Sequence, residues 1–175
     1  MRYLLPLALA LCLIGCATPQ REAHRTSRVG QKLTVRTTAY TQTEAGGSKN
    51  AIGGRLHFGG PEYSAASDWS WLPLGTRFKL LSNGHEYLIE DYGSALVGKK
   101  TIDLYMPTRA AMHAWGARNV DIEILQWGSS VMSLKMLEPR QKADYVRTMV
   151  TCLRRNGPLI ASSRETRLPS GTVLP

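Results

Sequence analysis

The chain is poor in cysteine and has no long hydrophobic run. Its longest apolar stretch ends near Ile14, short of the roughly 20 residues a membrane-spanning helix needs. With Arg2 as a basic start, it reads as an export signal. Of the three cysteines, Cys12 would leave with that signal and Cys16 sits at its end, so Cys152 stands alone in the rest. An intrachain disulfide is thereby excluded, and the domain must be held by its own packing. No G-K-S/T follows the glycine-rich stretch, which excludes a P-loop. His24, His57, His85 and His113 are scattered without H-x-x-x-H or cysteine partners, which argues against zinc. No Ser-His-Asp or Cys-His set is legible, no internal repeat is visible, and no cofactor or metal is expected. Acidic residues are outnumbered, 13 against 22 basic ones, for a formal net charge of +9. An exported basic protein does not ordinarily meet nucleic acid, so anionic envelope polymers and lipid head groups are the expected partners.

What is present fits one globular domain: 175 residues, 43% apolar and 20% charged. The run Leu13-Ile14-Gly15-Cys16 resembles the lipobox of bacterial lipoproteins. That resemblance implies cleavage before Cys16, acylation of its sulfur, and a membrane attachment through lipid. Ala17 follows where an aspartate would resemble an inner-membrane retention signal, so the outer membrane, facing the periplasm, is the expected destination. The expected divisions are a signal peptide at 1–15, a lipidated tether at 16–31, a barrel at 32–128, a helical extension at 129–157 and a disordered tail at 158–175.

Leu33, Val35, Thr37 and Ala39 alternate with polar neighbours, which predicts a strand. A long loop with six glycines spans 41–60. Thr76–Leu81 and His85–Asp91 read as strands joined by Asn83-Gly84, a strong hairpin signal. Thr101–Met106 and Asn119–Trp127 add two more. Between them PTRAAMHAWG reads as one short helix capped by Gly116. Many short strands with one small helix predict a mainly β fold, a compact barrel. Ala143, Val146, Met149, Val150 and Leu153 then mark a C-terminal amphipathic helix over Pro139–Arg155, with Arg140, Lys142, Arg147, Arg154 and Arg155 opposite. A basic face of this kind suits solvent, with the apolar face on the barrel. Cys152 reads as a small core residue rather than a nucleophile.

Asp103 sits in mid-strand in TIDLYM, where aspartate is depleted. Asp91 ends another strand, and Asp68 precedes a turn. Asp68 and Asp91 also fit local turn bonding, whereas Asp103 invites a specific explanation. These segments, SAASDWSWLPLGTRF, LIEDYGSALVGKKTIDLYM and AMHAWGARNVDIEIL, resemble the 3D domain, named for three aspartates and best known as the catalytic domain of membrane-bound lytic transglycosylase A. The resemblance takes in Thr38-Ala39-Tyr40, Pro73-Leu74-Gly75-Thr76, Gly98, and the run from Ala111 to Trp115-Gly116, and covers Leu33 to roughly Gly128.

The resemblance implies a six-stranded double-psi β barrel. It also implies cleavage of the MurNAc–GlcNAc bond of peptidoglycan glycan strands, with the muramyl C6 hydroxyl closing on C1 to leave a 1,6-anhydro end. Asp103 matches the acid/base aspartate, Asp91 would orient it or tune its pKa, and Asp68 would support the constellation. Tyr40, Trp69, Gly93 and Gly98 are the expected substrate-binding positions, with Trp69 or Trp71 on an exposed loop. Lytic transglycosylase A carries a second, larger domain across the groove, whereas the same barrel occurs without one in the small rare lipoprotein A; here the glycan would be gripped by the barrel, the glycine-rich loop and the basic helix. The other class of function left open is a non-catalytic peptidoglycan-binding envelope lipoprotein. A calcium site built from the three aspartates lacks the usual ligand loop, and Asp121 and Glu123 read as a solvated strand face.

Overall fold

The computed structural model describes residues 29–44 and 47–156. The signal segment, Cys16, most of the tether and the tail lie outside them. Six strands form a closed barrel: β1 (Lys32–Tyr40), β2 (Tyr63–Ala66), β3 (Arg77–Leu80), β4 (Glu86–Asp91), β5 (Thr101–Tyr105) and β6 (Arg118–Gln126), in the spatial order β1-β5-β2-β4-β3-β6. β1 with β5 and β2 with β4 run parallel. The remaining neighbours, including the β3–β4 hairpin around Asn83-Gly84, are antiparallel.

Period-two alternation sends one face of each strand inward. Val35, Phe78, Leu80, Ile89, Ile102, Leu104, Ile122 and Ile124 fill the interior and are buried. Each contributes about 1.5–3 kcal/mol by leaving water. β2 is the strand that alternation does not reveal: Tyr-Ser-Ala-Ala is short and its last two residues are small. Small side chains leave room on the outer surface, a point that matters for the site.

The expected helix appears as α1 (Arg109–Trp115), with the Thr108 hydroxyl accepting from the Ala111 amide and Gly116 at φ 62° closing it. The C-terminal part differs from the single expected helix. An additional helix, α2 (Ser130–Leu137), precedes a 3-10 turn at Glu138–Arg140, and α3 (Asp144–Asn156) starts beyond Pro139 rather than at it. Pro139 opens only the 3-10 turn. The Ala143 carbonyl accepts the first amides of α3, from Val146 and Arg147. α2 carries apolar residues on most of its circumference, so no single stripe announces it.

α2 is seated on the Pro73–Thr76 turn. The Gly128 amide donates to Thr76 Oγ1 at 3.0 Å, Ser129 N to the Leu74 carbonyl at 2.9 Å, and Leu74 N to Ser133 Oγ at 2.9 Å. A Cβ at Gly128 would lie 2.2 Å from the Leu74 oxygen, so only glycine fits there. α3 buries Val146, Met149, Val150 and Leu153. Cys152 is free and half-buried, at the edge of that packing rather than in the core. No helix among the described residues is long and apolar enough to cross a membrane.

Candidate active site

Asp103 lies between buried Ile102 and Leu104, so its side chain takes the outer face of β5. Two neighbours flank it in register: Thr38 on β1 and Ala66 on β2. Thr38 Oγ1 donates to Asp103 Oδ1 at 2.7 Å.

Asp91 reaches the same surface through an irregularity. Plain alternation along β4 would put Asp91 with Tyr87 and Ile89, pointing inward. Instead Ala65 pairs with Ile89 and Ala66 with Asp91, leaving Glu90 as the extra residue of a bulge. Bulges re-aim side chains in this way. Ala66 is thus flanked by Asp103 on one side and Asp91 on the other, and its methyl group leaves the space between them open. Two strand spacings separate their backbones, roughly 10 Å. Both carboxylates line one cleft of about 420 Å³, together with Tyr40, Glu44, Tyr92 and Tyr145.

The electrostatics separate the two acids. Burial pushes the Asp103 carboxyl up to about 6; the Thr38 hydrogen bond opposes the rise, and the negative charges of Glu44 and Asp91 add to it. Burial also raises Asp91, against amide hydrogen bonds from Tyr92 and Ala51 and the Tyr40 hydroxyl. Tyr40, at the end of β1, reaches Asp91 Oδ2 at 3.4 Å. Its own ionisation is pushed far up, by burial first and then by the surrounding carboxylates, so it remains a neutral donor.

Asp68 does not join this pair. It is 3% exposed, and its carboxylate accepts from the Gly98 amide at 2.8 Å and from Ser70 N and Oγ at 2.8 and 2.7 Å. It ties the loop after β2 to the loop before β5. Gly98, at φ 76°, supplies that amide from a left-handed conformation and does not line the cleft. Gly93 does line it.

Trp69 corrects an expectation. It is fully buried, with its indole N–H donating to the Asp91 carbonyl at 2.9 Å, and offers no face to a sugar. The reason is tertiary: beyond the tight turn in which the Asp68 carbonyl accepts from the Trp71 and Leu72 amides, the indole is held by the Asp91 carbonyl at the end of β4 and by the edge-on ring of Tyr92. Trp71 keeps partial exposure.

Several site residues carry no signal in the sequence. Glu44 is hidden in the glycine-rich loop, and Tyr92 could be read only as a neighbour of Asp91. Ala51 contributes a backbone amide, which no side-chain pattern reports. Tyr145 comes from α3, far along the chain. Glu90, buried with Ser64 Oγ donating to Oε1, lies outside the cleft, on the outer face of β4 between two others. Among the described residues no three histidine, cysteine, aspartate or glutamate side chains gather as a metal site.

No protein-family model matches the chain, and no curated protein matches it.

Proposed function

We propose that the protein is a lipid-anchored lytic transglycosylase of the bacterial envelope, acting on peptidoglycan glycan strands, with Asp103 as acid/base. The observation that carries this reading is the pairing of Asp103 and Asp91 across Ala66 on one open cleft. The two parallel pairings within a closed six-stranded barrel agree with the double-psi type that the resemblance implies. The buried row on α3 agrees with an amphipathic helix packed through its apolar face.

In this reading protonated Asp103 donates to the glycosidic oxygen as the C1–O bond breaks. The resulting carboxylate then takes the proton of the muramyl C6 hydroxyl as O6 bonds to C1. One proton leaves and one returns, no water is consumed, and a single carboxyl serves both halves. A carboxyl lifted to about 6 suits both roles near neutral pH. Burial lifts it, the charges of Glu44 and Asp91 add to the rise, and Thr38 fixes its direction. Such a reaction does not need the water-activating carboxylate spacing of an inverting hydrolase. Cys16, by the lipobox resemblance, would carry the anchor to the outer membrane.

The test is mass spectrometry of products released from purified sacculi by the chain and by Asp103→Asn. Anhydro-muramyl ends from the parent alone support the reading. Reducing ends would make the protein a hydrolase instead. Equal binding to sacculi by both, with no release by either, would replace the enzyme with a peptidoglycan-binding lipoprotein.

A further inference from the structure

Resting on that glycan reading, we propose that the segment after the barrel forms the second wall of the cleft, with Tyr145 of α3 as a sugar-binding residue and Arg140 as a positioning residue for Asp91. Neither residue belongs to the stretch that resembles the 3D domain.

Tyr145 precedes the buried row of α3 and does not share its burial. Val146, Met149 and Val150 are buried, whereas Tyr145 is half-exposed and lines the cleft that holds both aspartates. Its ring stands 6.3 Å from that of Tyr92 at 51°, and Tyr92 rests edge-on against Trp69. Two phenols from distant segments therefore border one carboxylate pocket. A ring with an apolar face and a hydroxyl at its edge matches a pyranose, which has apolar C–H faces and a polar rim.

Arg140 ties this wall to the acid. Its Nη1 donates to the Ala51 carbonyl at 2.7 Å and reaches Tyr92 Oη at 3.4 Å. The Ala51 amide in turn donates to the Asp91 carboxylate. One guanidinium thus holds the loop residue bonded to Asp91 and the side chain next to it. Both contacts are made by the one nitrogen, which carries two N–H donors.

The experiment uses the full-length chain in detergent. Binding to purified sacculi is measured in the Asp103→Asn background, where turnover does not interfere. Adding Tyr145→Ala is expected to weaken binding about tenfold, on the scale of truncating an aromatic contact. Tyr145→Phe, which keeps the ring face, retains most of the affinity. Steady-state release of anhydro products then tests Arg140: Arg140→Ala lowers kcat more than it raises KM, and Arg140→Lys, which still donates to Ala51, recovers most of the loss.

Unchanged binding by a folded Tyr145→Ala overturns the sugar-binding role, and an unchanged kcat in Arg140→Ala overturns the positioning role. If the parent chain releases no anhydro products, the transglycosylase reading fails separately. The binding comparison still judges Tyr145 in that case. Arg140 is then judged by the Asp91 carboxyl carbon signal, expected to move in Arg140→Ala and to hold in Arg140→Lys.

Discussion

Asp103 and Thr38 are register partners across the parallel β1–β5 pair, joined by a 2.7 Å hydrogen bond from hydroxyl to carboxylate. The bond favours the ionised acid while burial favours the protonated one, and burial prevails. Activity that needs a protonated Asp103 is therefore expected to fall as pH rises through about 6. Thr38→Val removes the stabiliser of the carboxylate, so the falling limb of kcat/KM moves to higher pH. Glu44→Gln removes a repelling charge, and the limb moves to lower pH. A pH–rate profile that stays still in both variants would sink Asp103 as the titrating acid. Asp103→Asn itself is expected to lose about 10²-fold activity or more.

The same raised pKa costs stability. Between the ordinary aspartate value of 3.8 and about 6, the folded protein holds a proton that the unfolded chain has released, so stability falls as pH rises across that window. The loss is complete above about 6 and absent well below 3.8; its upper bound is about 3 kcal/mol. Asp103→Asn is accordingly expected to melt higher than the parent at about pH 7.5 and at nearly the same temperature at about pH 3. Thermal melts at the two pH values check this, and equal melting at both would contradict the burial argument.

Asp68→Ala removes a buried carboxylate and leaves the part-buried hydrogen bonds from the Gly98 and Ser70 amides without their shared acceptor. The expected destabilisation is about 2–4 kcal/mol by urea unfolding. Gly98→Ala meets no neighbouring atom but strains a φ of 76°, at about 1 kcal/mol. Hydrogen exchange in residues 93–100 is expected to quicken in both variants. An Asp68→Ala protein with parental stability would show that the carboxylate is not the tie between these loops.

Gly128→Ala would drive a methyl group into the Leu74 and Pro73 carbonyls, at 2.2 and 2.4 Å. Both partners are backbone, so relief requires moving the seat of α2. A loss on the order of 4 kcal/mol is expected, read as a drop in the urea midpoint. A soluble variant with the parental midpoint would mean that α2 is not anchored there.

Alternation and turn chemistry made most of the barrel legible. Val35, Ile89, Ile102, Leu104, Ile122 and Ile124 repeat every second residue, and Asn83-Gly84 marks its hairpin, because those signals are local. Asp103 was legible for the same reason, as a carboxylate interrupting a strand. Nothing local reveals that Asp91 would leave the inward face, since period two assigns it to the core. Only the pairing of Ala66 with Asp91 past the bulge at Glu90 turns it outward beside Asp103. Tertiary packing likewise drew Trp69 inside, brought Tyr145 to the cleft from α3, and used a backbone amide of Ala51 that no residue type announces. The sequence by itself determined five of the six strands, all but the short β2, and which residue stands out chemically. The tertiary structure decided which acids face each other and what walls them in, because those relations are set by contacts between segments far apart in the chain.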